Sequence, residues 1–116
     1  MPDKKKTLLR HISGITPVST SHGVGDKKVI ATSKDVGDTV TQIAQTLLHA
    51  GENVEEHIHP TMDEHFFFLD GKCNVIIDGK IMECSKGDYL FIPSGHTHSI
   101  EIINNTLMFT IGIIKK

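Results

Sequence analysis

GENVEEHIHPTMDEHFFFLDG, residues Gly51 to Gly71, carries two histidines one residue apart, a glutamate five residues further on and an apolar run, with a glycine at each end. Side chains alternate along a strand, so His57 and His59 share one face, about 7 Å apart at the backbone. Two rings so placed can both reach a metal ion about 2 Å from each nitrogen. A turn through Pro60-Thr61-Met62-Asp63 can return Glu64 to the same place. A His-x-His pair by itself is weak evidence, but a second stands at His96-Thr97-His98, and His98 is the evident fourth donor. Beyond the turn, Glu64, Phe66 and Phe68 share a face, opposite His65, Phe67 and Leu69. The run Phe66–Leu69 is apolar on both faces. One face can line a barrel interior, and the other needs cover from N-terminal strands or from a second subunit.

Outward from this stretch the pattern is strand after strand. Lys28–Thr32, Thr39–His49, His65–Leu69, Cys73–Ile77, Lys80–Cys84, Tyr89–Ile92, Thr97–Ile103 and Leu107–Ile114 are rich in β-branched and aromatic residues. Turn residues separate them: Gly51, Asp70-Gly71, Asp78-Gly79, Lys86-Gly87-Asp88, Pro93-Ser94-Gly95 and Asn104-Asn105. Ala, Gln and Leu within Thr39–His49 leave helix open as a second reading there. Short strands at this spacing, without helices between them, predict an all-β sandwich or barrel. Thr7–Ile12 reads as a possible short strand and Ser13–Asp26 as loop. The expected organisation is an irregular or strand-exchanging segment over residues 1–26 and one barrel domain over 27–116.

The glycines and histidines together resemble the cupin family. Its first motif is Gly, five residues, His-x-His, three or four residues, Glu, six residues, Gly. Gly51, His57-Ile58-His59, Glu64 and Gly71 fit every position. The second motif is Gly, five residues, Pro-x-Gly, two residues, His, three residues, Asn. Gly87, Pro93-Ser94-Gly95 and His98 fit, and Ile102 departs where Asn is expected. That Asn is not a metal ligand in the family, so the departure concerns a turn. The resemblance implies an antiparallel jelly-roll β-barrel of six to eight strands. It makes His57, His59, Glu64 and His98 the ligands of one divalent transition metal. Three imidazoles and a carboxylate suit Fe, Mn, Ni, Co or Zn.

The 116 residues are one domain's worth of chain, 38% hydrophobic and 22% charged, as in soluble globular proteins. A formal net charge of −2 provides no positive field for nucleic acid or an anionic membrane. The basic cluster Lys4-Lys5-Lys6 reads as a solvated tail, as do Lys115 and Lys116. No segment approaches the roughly 20 apolar residues of a membrane span, and no apolar run follows the N-terminal lysines as in a signal peptide. The expected location is the cytoplasm. The two cysteines flank Ile77-Asp78-Gly79-Lys80, a type I′ hairpin signal. Counting outward from that turn sets Cys73 opposite Cys84, and two free thiols packing as small apolar groups are expected.

The expected cavity wall is Phe66, Phe68, Ile100 and Ile102, with Val75 or Met82 and part of Leu107–Ile113. Between Gly51 and Thr110 there is no Arg, and Lys72, Lys80 and Lys86 all lie at turns or strand ends. Such a wall favours a small, mostly apolar molecule with a chelating oxygen. Glu64 and His96 are the expected proton-transfer residues. His65 is expected to support the site or an interface, and His11, His22 and His49 to have no special role. The function expected is a metal-dependent dioxygenase or isomerase/cyclase. The alternative is a non-catalytic metal-dependent binding or sensing module. A homodimer is expected, with Phe67 and Leu69 buried at the interface or beneath exchanged N-terminal strands.

Overall fold

A computed structural model describes residues 5–115; Lys4 of the basic cluster and the terminal Lys116 lie outside them. The strands are β1 (Val18–Ser19), β2 (Asp26–Thr32), β3 (Val40–Leu48), β4 (Asn53–His57), β5 (Met62–Ile77), β6 (Lys80–Ser85), β7 (Tyr89–Ile92) and β8 (His98–Ile114). They pair antiparallel throughout, in the order β1-β2-β3-β8-β5-β6, with β4 on β8 and β7 on β5. The architecture is the jelly-roll β fold that the cupin resemblance implies, within the all-β class expected from the turn spacing.

Two long strands hold it together. The first half of β5 pairs with β7 and its second half with β6, while β8 runs alongside for its whole length. The first half of β8 takes β4 and the second half β3. Each of these strands therefore passes from one sheet to the other, and the two bend together. Their mutual register shifts between Phe68 and Cys73, where β5 passes Asn104–Thr106 of β8. Gly71 sits at this corner with φ +98°, and an added Cβ would lie 2.2 Å from the Asn105 carbonyl oxygen and 2.5 Å from Thr106 Cα. Only glycine combines that backbone angle with that approach.

Between the sheets lie Leu48, Phe66, Phe68, Cys73, Val75, Ile92, Ile100, Ile102 and Met108, all buried. Phe68 is wholly enclosed, a burial contributing roughly 1.5–3 kcal/mol. The β5–β6 hairpin turns on Asp78 (φ 50°) and Gly79 (φ 80°), the paired positive angles of a type I′ turn. It sets Cys73 opposite Cys84 as counted from the sequence. Both thiols are free and buried.

Several boundaries differ from the sequence reading. Asp70-Gly71 and Asn104-Asn105 are bends within β5 and β8, not turns between separate strands, because the paired partner continues past each. Thr39–His49 is strand, not helix: the inward residues Ala44, Thr46 and Leu48 alternate with half-exposed ones. Asn53–His57 is a strand, β4, that mixed polar composition concealed. A one-turn helix, α1 (Ser33–Val36), follows Thr32, whose N–H donates to Asp35 Oδ2 at 3.0 Å, a local end-cap. Thr7–Ile12 does not form a strand. Arg10 there donates to the Ile30 carbonyl and pairs with Asp35, and the chain enters a 3-10 turn at Ile12–Gly14 whose start is capped by His11.

Candidate metal centre

The end of β4, the start of β5 and the start of β8 meet at one end of the barrel. His57 closes β4 opposite His98, which opens β8. His59 follows in the turn, and Glu64 lies on β5 opposite Ile92 and Gly112. The structure thus brings together His57, His59, Glu64 and His98, whose ligand atoms all lie within 4.8 Å of one another. Glu64 Oε1 stands 3.2 Å from His59 Nε2 and 3.1 Å from His98 Nε2.

The backbone orients two of the rings. His57 Nδ1 lies 2.8 Å from the Glu55 carbonyl, and His98 Nδ1 lies 3.2 Å from that of His96. A carbonyl only accepts, so each Nδ1 carries the hydrogen and donates it. In the neutral ring the Nε2 lone pair is then free to ligate, as in many metal sites. Glu64 Oε1 and His98 Nε2 are buried without an aligned hydrogen-bond partner despite their proximity. Buried polar atoms without partners are costly, and a cation between these donors would satisfy both. Three imidazole nitrogens and a carboxylate fit a divalent transition metal on this chemistry.

Burial lowers the His57 pKa, outweighing the Glu55 carbonyl, and His98 and His22 add to the depression. For His98, burial is the largest single influence and disfavours the charge. Glu64 and the His96 carbonyl together overcome it and raise the pKa.

Residues 45–110 match the family model of the cupin domain. The chain belongs to the cupin family. A tetracenomycin polyketide synthase protein of Streptomyces glaucescens is 30% identical over 88 residues, covering 75% of this chain and 59% of that protein. The chain spans about half the length of the curated relatives it matches. A "predicted oxalate decarboxylase" of Thermotoga maritima superposes with a TM-score of 0.83 at 26% identity, over 92% of this chain and 99% of its own. A polyketide cyclase of Streptomyces resistomycificus superposes at 0.79 over 96% of this chain and 81% of its own, and at 14% identity it shares the fold alone.

In this cupin the four donors edge a cavity of about 190 Å³. Phe66, Ile100 and Met108 line it, as the alternation of β5 and β8 predicts. Phe68, Ile102 and Val75 lie beneath it in the core, and Met82 stands half-exposed on edge strand β6. Much of the remaining lining is polar. Lys27, Gln42, Thr46 and Thr110 come from β2, β3 and β8, and Thr20, Ser21 and His22 come from the loop before β2. That loop is held by Gly25 N–H donating to Glu52 at 3.1 Å and by Thr20 donating to the Val24 carbonyl.

The sequence marks no role for His22, yet its ring centroid lies 4.2 Å from that of His57. Burial, then the neighbouring His59, lower its pKa. No local signal marks it, because only the loop's return over the barrel end brings it there. His96 does not line the cavity. Its exposed ring pairs through Nδ1 with Asp78, and Asp78 also accepts from Thr97 N and Oγ1. His65 is on the outer face, with Nδ1 2.6 Å from the Tyr89 hydroxyl. His49 pairs with Asp26. Among the described residues no helix is long and apolar enough to cross a membrane.

Proposed function

We propose that this cupin is a metal-dependent enzyme of the isomerase or cyclase kind, acting on a small molecule that presents a chelating oxygen. The observation that carries the reading is the convergence of four donors on a walled cavity, with two Nε2 lone pairs aimed by backbone carbonyls. His57, His59, Glu64 and His98 would hold the metal, of the Fe, Mn, Ni or Zn type. A metal so held supplies Lewis acidity at a carbonyl oxygen.

The chain's own groups do the rest. Phe66, Ile100 and Met108 pack the apolar flank of the substrate and keep water from the reacting carbon. Glu64 takes a proton from the carbon beside the carbonyl and returns it at the same or a neighbouring atom, while the electron pair released moves onto the carbonyl oxygen. His96, held on Asp78 and absent from the cavity wall, serves to position the strand start at His98. The name of one relative, a polyketide synthase protein, is consistent with proton-transfer chemistry on carbonyl compounds. We also infer a homodimer formed through the outer face of β5 and β7, where Phe67, Tyr89 and Phe91 are exposed.

Two measurements test the enzyme reading. Elemental analysis of tag-free protein should find near-stoichiometric metal, and none in His57→Ala/His59→Ala. Metal-replete protein in deuterated water should catalyse exchange at the carbon between the oxygens of α-hydroxyacetophenone, followed by proton NMR. Glu64→Gln should abolish exchange. Stoichiometric metal and ligand binding with no exchange would favour the binding module and overturn the enzyme.

A further inference from the structure

Lys27 is the one lysine or arginine among the residues that line the metal-centre cavity. It is half-buried on β2, directly across from Thr46, a buried hydroxyl residue of the same wall. Among the described residues its ammonium has no ion pair and no side-chain hydrogen bond. The carboxylates of this region are committed elsewhere. Asp26 pairs with His49, Glu52 accepts from Gly25 and His49, and Glu64 belongs to the donor cluster. A half-buried cation without a counter-charge favours an anion in the cavity it borders.

Register places this charge relative to the metal donors. Glu64 lies in the row of Gly112 and Gln42, and Phe66 in the row of Thr110 and Ala44. Phe68 shares a row with Met108, Thr46 and Lys27. Lys27 therefore stands two same-facing rows from Glu64, about 13 Å along the strand direction, and three strands away across the sheet, about 14 Å; the curvature of the barrel and the long lysine stem both shorten that separation. Between the two ends the wall offers Thr110 and Gln42 as hydrogen-bonding groups. The cavity, at about 190 Å³, is smaller than the roughly 300–1,000 Å³ of sites for drug-sized ligands.

We infer that the ligand of this site is a short-chain carboxylate, with chelating oxygens at the end facing the four donors and its carboxylate paired with Lys27. The inference deepens the enzyme reading above and rests on it for the orientation of the ligand. It makes Lys27 a specificity residue, one that selects an anionic ligand over a neutral isostere.

The probes are 5-hydroxy-4-oxopentanoate and its methyl ester, which share the hydroxyketone end and differ in the charge at the other. Binding to metal-loaded protein is read by calorimetry, and metal content is measured on the same samples. The acid should bind wild type at least about tenfold more tightly than the ester, the worth of one charge-assisted contact. Lys27→Met, close in volume, should reduce acid binding to the level of the ester while leaving ester affinity and metal content unchanged. Lys27→Arg should keep the preference. Equal binding of acid and ester by wild type, no binding of either, or a preference that survives in Lys27→Met overturns the inference. Deuterium exchange in the same probes keeps the two readings apart. A charge preference without exchange upholds the carboxylate site and removes the enzyme, and exchange without a preference does the reverse.

Discussion

Asp78 shows how one side chain can serve a site it does not touch. It lies in the β5–β6 turn and holds His96 and Thr97, and the His96 carbonyl in turn orients His98. Asp78→Asn keeps a residue that tolerates positive φ but removes the charge facing His96, and metal affinity should fall by about tenfold, measured by competition with a chromogenic chelator. The His96 hydrogen bond, helped by Thr97 and opposed by desolvation, holds the Asp78 pKa below the usual carboxylate range. A depressed carboxylate stabilises the fold above its unfolded-state pKa, near 3.9, and loses that contribution as pH falls through the native value. The gap in Tm between wild type and Asp78→Asn should therefore close on acidification from about pH 5 to pH 3. The cysteines make a second prediction at this scale. The neighbouring Cys84 sulfur, then burial, raise the Cys73 pKa, while the same neighbour interaction lowers that of Cys84. Both sulfurs are enclosed, so Ellman's reagent should find no fast thiol in the native protein and two after unfolding in guanidinium. A rapid native reaction at either would show that the hairpin opens.

At the scale of elements, the bend shared by β5 and β8 decides where the site can form. The first half of β5 brings Glu64, and the start of β8 brings His98. Both strands change sheets at Gly71, where backbone meets backbone. Gly71→Ala should cost about 2–5 kcal/mol, the sum of positive-φ strain and overpacking. The readout is a lower urea midpoint at unchanged slope. A loss below about 0.5 kcal/mol, the level of an ordinary surface change, would mean that the corner relaxes freely. The same bend explains why β5 and β8 each read as two strands. Asp70-Gly71 and Asn104-Asn105 carry turn chemistry, and composition does not distinguish a chain that reverses from one that changes sheets.

For the whole molecule, the inferred association involves the outer face. His65, Phe67, Tyr89 and Phe91 share it, with Ile111 and Phe109 on the adjoining stretch of β8. The inferred homodimer predicts a light-scattering mass of twice the 12.8 kDa chain at micromolar concentration. Phe67→Glu/Phe91→Glu should yield a folded monomer with the same circular dichroism. A wild-type monomer under these conditions would remove the dimer.

Residue order alone determined the type I′ hairpin, the pairing of Cys73 with Cys84 and the inward alternation of Phe66 and Ile100. Each rests on short-range rules, a two-residue side-chain period or the positive φ of a turn, that hold wherever the segment lies in the fold. The four candidate donors were legible through the spacing of the two cupin motifs, a family resemblance and not a local rule. Tertiary structure decided which residues face the donors across the cavity. Lys27 and Thr46 meet there through the β2–β3 register, and His22 arrives on a loop anchored by Glu52. The expectation of an apolar wall came from Gly51–Thr110, where there is no Arg and the lysines lie at turns or strand ends. Lys27 lies 30 residues before His57 in the chain, and only closure of the barrel brings its strand into the same cavity.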